Sequence, residues 1–334
     1  MTELWTISRL LEWTTQRFAR AGIESPRVDA ERLLADALNC GRIDLYINRE
    51  TIPEGERLDR FRENVRRRVN REPLHFILRR ASFLSLELEV DESTLIPRPE
   101  TEMLVERAVH WAKTLTGAYA RMAGRDPSGR SEGLAASDDG LSSDRTGIPG
   151  PASVSAVESA ADFVVLDVGT GTGCIALGFA SCFKPARVVA TDISADAIAM
   201  AKRNADRCAL SGRVDFFVGD LFDPLPVDRP FDLILSNPPY VPQTEREGLQ
   251  DEVRCWEPAS ALFGGPDGLD IIRRLIRSAP DRLKPGGRLV LEIGDGQADA
   301  VCALLSGDGR YDDIQRTRDL AKIERIIDAR RIAT

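Results

Sequence analysis

Along residues 1–72, apolar positions return at the spacing of helices. Ile7, Leu10, Leu11 and Phe18 mark one amphipathic helix. Ser25-Pro26 opens a second, a cap residue followed by proline at the first helical position, with Asp29 and Glu31 in its first turns. Val28, Leu33, Leu34 and Leu38 supply its apolar stripe. A third runs from about Pro53 to Asn70 on Leu58, Phe61, Val65 and Val69, among many arginines. Short helices of this kind can bury their apolar faces together as a small bundle. The period then changes. Phe83 to Val90 alternates apolar and polar residues, the mark of a half-buried strand or hairpin, before a further helix through Leu104, Val105, Ala108 and Val109.

From about Thr114 to Ala161 the chain turns to Gly, Ser, Ala, Asp and Pro with few large apolar residues. Such a stretch cannot bury enough surface to offset its ordering entropy, and is expected to be a mobile surface insertion. Beyond it, strands and helices alternate. Phe163–Asp167, Arg187–Asp192, Val214–Val218, Phe231–Leu235 and Arg288–Ile293 are the strands, with helices over Ile175–Ala180 and from Ala195 to about Cys208. Alternation of this kind implies a parallel sheet covered by helices on both faces. Ile314–Thr317 and Ile323–Ala329 are expected to add two final strands, antiparallel to each other.

Composition narrows the classes. With 43% hydrophobic and 29% charged residues, and no apolar run near the length of a membrane span, the chain reads as a soluble globular protein. The amphipathic first twenty or so residues lack the apolar core of a signal peptide, so a cytoplasmic location is expected. Six cysteines lie scattered without a CxxC pair, beside two histidines, which leaves no metal site in view and points to reduced thiols. A net charge of −8 leans against a protein that holds a long stretch of nucleic acid, whose phosphates demand a basic excess.

Asp167-Val168-Gly169-Thr170-Gly171-Thr172-Gly173-Cys174 follows a strand and opens a helix, where ligands of such sheets sit. Glycine lets the backbone turn tightly and approach a ligand closely. Asp192 ends the next strand, placed to accept both hydroxyl protons of a ribose. Glycines at every second position depart from the G-x-G-x-x-G of dinucleotide sites and suit the methionine part of S-adenosylmethionine, which has no pyrophosphate to cradle. Asp220, with Leu221 beside it, is either an adenine-side residue or a simple turn aspartate.

Ser236-Asn237-Pro238-Pro239-Tyr240 follows the strand Phe231–Leu235. Each proline fixes its own φ and restricts the residue before it, so the loop is stiff and its carbonyls point away from the sheet. Asn237 adds a side-chain carbonyl, making an acceptor pair that can hold a planar NH₂ by both hydrogens, while Tyr240 offers a ring face to stack on it. An amide or aromatic amine is a weak nucleophile. Holding both hydrogens in line with a donor methyl supplies orientation and a route for the departing proton, with no strong base required.

These residues, in this order, resemble the release-factor glutamine methyltransferases, the PrmC/HemK family. The resemblance covers most of the chain outside the insertion and is carried by Leu95–Glu102 (LIPRPETE), Asp167–Ala176 (DVGTGTGCIA), Asn237–Tyr240 (NPPY), Glu257-Pro258 with Ala261–Leu269 (EP…ALFGGPDGL), and Arg318–Ala321 (RDLA). It implies an α/β fold: a Rossmann-like class I methyltransferase sheet with a small N-terminal helical bundle joined by a β-hairpin. It divides the chain into a substrate-recognition part at 1–72, a linking hairpin at 73–94, and an S-adenosylmethionine-dependent methyltransferase domain at 95–334 with the insertion at 113–161.

The implied reaction is methylation of the side-chain amide nitrogen of glutamine in the GGQ loop of peptide-chain release factors. By that resemblance Asn237, Pro238 and Tyr240 are catalytic, and Pro239 joins them in holding the substrate. Gly169, Thr170, Gly171, Thr172, Gly173, Asp192, Asp220, Leu221 and Asn237 line the cofactor. Arg98 and Glu100 either support the substrate entrance or form a salt-bridged loop between the domains. The protein partner is a release factor, the chain is expected to be a monomer, and neither stable nucleic acid nor membrane is expected. Where the family carries tyrosine and glycine, this chain has Phe76 and Arg79. NPPY is shared with several amine methyltransferases, so a nucleic-acid adenine or guanine amine methyltransferase is the rival, with Arg66-Arg67-Arg68, Arg71, Arg79 and Arg80 as its candidate phosphate patch.

Overall fold

The computed structural model describes residues 5–122 and 163–333. Five helices come first: α1 (Ile7–Arg20), α2 (Pro26–Leu38), α3 (Arg42–Ile47), α4 (Glu56–Val69) and α5 (Leu74–Leu78). The Thr6 hydroxyl caps α1 by accepting the Arg9 amide at 3.4 Å. Ser25 makes no such bond at α2, although proline does stand in the first turn. Val28, expected in the buried stripe of α2, is 38% exposed. It lies five positions before Leu33, about 140° round a helix that turns ~100° per residue, and Ala30, Leu33, Leu34 and Ala37 form the stripe instead. The short helices α3 and α5 span too few turns to show a period, and sequence patterning missed both.

The hairpin follows as β1 (Ala81–Phe83) and β2 (Leu86–Leu88), with Ala81 opposite Leu88. Helix α6 (Pro99–Met122) continues past Thr114, where composition alone would end it. Propagation from a formed helix costs far less than nucleation, so even Gly- and Thr-containing sequence can follow. The remaining insertion, 123–161, lies outside the described residues.

The sheet and its helices complete the chain: β3 (Val164–Val168), α7 (Cys174–Cys182), β4 (Arg187–Asp192), α8 (Ala195–Arg207), β5 (Val214–Val218), β6 (Phe231–Ser236), α9 (Asp251–Trp256), α10 (Ala259–Leu262), α11 (Asp270–Ser278), β7 (Leu283–Glu292), α12 (Ala298–Asp308), β8 (Tyr311–Arg318) and β9 (Glu324–Arg331). Seven strands lie in the order β5-β4-β3-β6-β7-β9-β8. Those from β3 to β7 run parallel, and β9 is antiparallel to both of its neighbours. The expected α/β fold is the one observed. Strand order reverses between β3 and β6, and at such a switch point the loops leaving two adjacent strands open a crevice.

One buried cluster covers each face of the sheet, and a third fills the helical bundle around Phe18, Leu33, Leu34, Leu45 and Phe61. Phe76, Ala81, Val90 and Ile96 with Trp256 form a small apolar joint between bundle and sheet. Beside the joint, Arg68, only 8% exposed, pairs with Asp29 at 2.8 Å and Glu252 at 3.0 Å, and Arg71 reaches Glu252 at 2.6 Å. Removing one member of such a buried set leaves the others uncompensated. Arg79 adopts φ +54° as the left-handed C-cap of α5, a conformation that favours glycine.

Candidate active site

The loop after β3 is shaped locally. Gly169 and Gly171 adopt φ +75° and +55°, and nothing lies within 4 Å of where a Cβ would project, so backbone conformation rather than crowding selects glycine there. Gly173, at φ +84°, caps α7 and lies tight against Ala201 and Leu177, which makes it a packing position behind the cavity wall. Beneath the loop, Asp167 is fully buried. Its Oδ2 accepts the Thr170 hydroxyl at 2.6 Å and the Ala176 amide at 3.1 Å, while Oδ1 has no partner among the described residues. Burial lifts the Asp167 carboxyl to about 7.

Asp192 closes the other side. One carboxylate oxygen accepts the Gly171 amide and the other the Ser194 amide, each at 2.9 Å. An oxygen accepting one amide keeps a further lone pair, so both remain able to accept from a diol. Burial raises its pKa, and the two amides oppose the rise. Asp220 forms an ion pair with Arg274 at 2.6 Å on the cavity rim. Leu221 adopts φ +46° beside it. Ile193, next to Asp192, is a large apolar side chain 68% exposed that also lines the cavity. Together these residues bound a cavity of about 280 Å³, close to the lower end of ligand sites at roughly 300–1,000 Å³. Apolar walls, two acidic strand ends and buried hydroxyls on Thr172 and Thr191 that have no partner among the described residues suit a ligand with a flat ring, a diol and an amino-acid tail.

The loop after β6 opens onto the same cavity, which Asn237, Pro238 and Pro239 line together with Arg98 and Thr101. The Ser236 hydroxyl donates to the Val168 carbonyl at 2.7 Å and so ties the ends of the two central strands. Asn237 Nδ2 donates to Thr101 Oγ1 at 3.1 Å, which leaves the Asn237 carbonyl oxygen to other partners. The stretch Ala261–Leu269 packs beneath this loop. Val241 donates to the Leu262 carbonyl at 2.9 Å, Gly264 to the Val241 carbonyl at 3.0 Å, and Gln297 Nε2 to the Tyr240 carbonyl at 2.9 Å. Contact is so close that a Cβ on Gly264 would stand 2.3 Å from the Pro239 oxygen, and one on Gly268 would stand 2.1 Å from the Tyr240 oxygen.

The structure brings Gly169, Thr170, Gly171, Thr172, Asp192, Asp220, Leu221, Asn237, Pro238, Pro239 and Arg98 to one cavity wall. Gly173, Tyr240 and Glu100 stand behind or beside it. The Tyr240 hydroxyl donates to Glu292 Oε1 at 3.4 Å, and burial pushes its pKa up. Arg98 pairs with the buried Glu257 at 2.5 Å, so LIPRPETE and the EP dipeptide are two halves of one ion pair. Thr101, Ile193 and Glu292 escaped the sequence reading. Ile193 follows a strand-end acid and was open to inspection; Thr101 and Glu292 meet the site only across the fold. Asn204 is another such residue, fully buried, with Oδ1 accepting the Glu89 amide at 2.6 Å and Nδ2 donating to the Glu89 and Thr172 carbonyls at 3.0 and 2.9 Å. It joins the region just after the hairpin to the glycine loop.

Comparison with known proteins adds the following. Residues 9–78 match the family model described as PrmC N-terminal domain, and residues 152–253 match the methyltransferase small domain. The chain is 41% identical to the release factor glutamine methyltransferase of Rhodopirellula baltica, over 97% of this chain and 95% of that protein. It is 38% identical to the protein of the same description from Geobacter sulfurreducens, over 98% of each. Among solved structures, a protein-(glutamine-N5) methyltransferase (release factor-specific) from Alicyclobacillus acidocaldarius is 26% identical with a TM-score of 0.36, covering 74% of this chain and all of that one.

Proposed function

The chain belongs to the release factor glutamine methyltransferase family, and on that premise we propose that it methylates the side-chain amide nitrogen of the glutamine in the GGQ motif of peptide-chain release factors, with S-adenosylmethionine as methyl donor. The cofactor supplies a methyl group activated on a sulfonium. Gly169–Thr172, Asp192, Asp220 and Leu221 hold it, with Asp192 on the ribose diol. Asn237 Oδ1 and the Pro238 carbonyl accept the two amide hydrogens of the substrate glutamine, and Tyr240 backs the loop that carries them. With the glutamine amide so held in line with the methyl that a bound cofactor would supply, those acceptors would take the amide proton given up on transfer. Residues 1–72 serve substrate recognition, 73–94 link, and 95–334 carry the chemistry. Arg98, paired with Glu257, holds the cavity mouth, with Glu100 beside it.

The single observation that carries this reading is the meeting of the glycine loop and the Asn237–Pro239 loop on one cavity at the switch point of the sheet. The arginine segment offers little to the nucleic-acid rival. Arg66 pairs with Glu63, Arg67 with Glu72, Arg68 and Arg71 with Glu252, and Arg80 with Asp36, so most of these cations are already compensated. Transfer of labelled methyl to a purified release factor tests the proposal, with its GGQ→GGA variant and duplex DNA as parallel acceptors. Label on the unaltered factor alone is expected. Label on DNA and none on the factor would reject it.

A further inference from the structure

The chain leaves the acceptor loop at Val241 and returns beside it at Gly264. The two ends are pinched together. Val241 donates to the Leu262 carbonyl at 2.9 Å, Gly264 to the Val241 carbonyl at 3.0 Å, and Gln243 to the Gly265 carbonyl at 3.0 Å. Between them runs a strap. An exposed 3-10 turn, Gln243–Gly248, comes first, and α9 follows. Arg254 braces the two by pairing with Glu247 at 3.1 Å and Asp251 at 2.6 Å. Glu252 then reaches the helical bundle: its side chain, 14% exposed, pairs with Arg68 at 3.0 Å and Arg71 at 2.6 Å. Trp256 packs on the apolar joint, Glu257 pairs with Arg98, and Pro258, Ser260 and Ala261 line the cavity.

A strap closed at its base can shift without disturbing the loop it springs from, so its outer anchors decide where it stands. Burial of Trp256 is non-directional. Charge-assisted bonds to two guanidiniums fix direction as well as distance. Those guanidiniums are held from the bundle side. Arg68 pairs with Asp29 at 2.8 Å and donates to the Glu72 carbonyl at 3.2 Å, while Arg71 donates to the Ala21 and Gly22 carbonyls at 3.3 and 2.7 Å. Glu252 therefore meets two cations that the bundle has already placed. We propose that Glu252 is a positioning residue for the protein substrate: it sets the strap against the bundle so that the two meet a release factor as one surface. Asn237 and Pro238 lie behind the pinch and keep their geometry when the strap is loosened. The signature is then on recognition, a raised KM for the factor at an unchanged kcat.

The inference rests on the reading that the bundle recognises a release factor and the acceptor loop its glutamine. The test is steady-state transfer of labelled methyl to the intact factor at saturating cofactor, with amide hydrogen exchange of the free enzyme alongside. Glu252→Ala is expected to raise KM for the factor by about tenfold, with kcat and cofactor affinity held within about twofold. Exchange should quicken by about tenfold over α9 and stay unchanged in the central strands. Glu252→Gln keeps the length and one acceptor for Arg68 but loses the charge, and its KM should rise by about threefold. An unaltered KM in Glu252→Ala, a kcat that falls as far as KM rises, or unaltered exchange over α9 overturns the proposal. If Glu252→Ala does not fold, Glu252→Gln decides on the same three readings. An unaltered enzyme that never labels the factor overturns the functional reading and this inference with it, whereas labelling with an unmoved KM overturns this inference alone.

Discussion

The two loops at the switch point solve opposite problems. The donor loop after β3 turns on Gly169 and Gly171, left-handed with open space around them, and the carboxylate beneath it, Asp167, bonds residues three and nine positions away. The acceptor loop after β6 is made from prolines and is held by distant chain: Thr101, the Gly264–Gly268 stretch, Gln297 and Glu292. On the proposed function, the difference follows from what each must do. A cofactor site needs backbone that a ligand can approach. An amide acceptor needs two oxygens fixed in space, and proline stiffness alone does not aim them.

The largest effect is expected at the acceptor loop. Asn237→Ala removes one of the two proposed acceptor oxygens and should lower methyl transfer by about a thousandfold while calorimetry finds cofactor affinity within a few-fold of the unaltered protein. A large loss of cofactor binding instead would dissolve the distinction between the loops. Next come the two buried carboxylates. Glu292 titrates near 7 when folded and near 4.5 when not, so the folded state keeps a proton that the unfolded chain has lost. Stability therefore falls as pH rises from the lower value to the higher and levels off above it, by roughly 3 kcal/mol at about 1.36 per unit. Denaturant titration should show Glu292→Gln removing that share and leaving the similar one from Asp167.

Glycine substitutions sharpen the contrast further. At Gly268, φ is +77° and a Cβ would strike the Tyr240 oxygen, so Gly268→Ala should displace the acceptor loop and slow transfer by about a hundredfold with cofactor binding kept. At Gly169 the surroundings are open, and Gly169→Ala meets only the left-handed penalty of roughly 1–2 kcal/mol, read as about tenfold weaker cofactor binding. Equal effects on both steps from both variants would show the loops to be one unit. The smallest effect lies far from either. Arg79→Gly relieves a left-handed arginine and should raise stability by up to about 1 kcal/mol without altering kcat.

Legibility in the sequence follows the same division. The donor loop, its helix and the acid ending β4 were read from adjacent residues, because left-handed turns and strand-end positions leave local marks. Arg187–Asp192 and Val214–Val218 match the observed strands residue for residue, the first a largely buried apolar run and the second the exposed edge of the sheet. Phase on a helix was harder: Val28 looked like core and faces outward, and α3 and α5 were too short to show a period. Arg98 carried two readings, support of the substrate entrance and a salt-bridged loop between the domains; the fold lines the cavity with it and pairs it with Glu257, a residue of the same 95–334 stretch.

By itself the sequence determined the α/β alternation, the positions of both functional loops and the chemistry their residue types can perform, since each depends on the conformational limits of glycine and proline or on a local apolar period. Only the tertiary structure decided that Arg98 meets Glu257, that Glu292 and Thr101 stand behind Asn237, and that Arg68 of α4 is consumed in ion pairs with Asp29 and Glu252. Those contacts join residues far apart in the chain. Their geometry is fixed by packing seven strands and their helices together, and no local preference carries it.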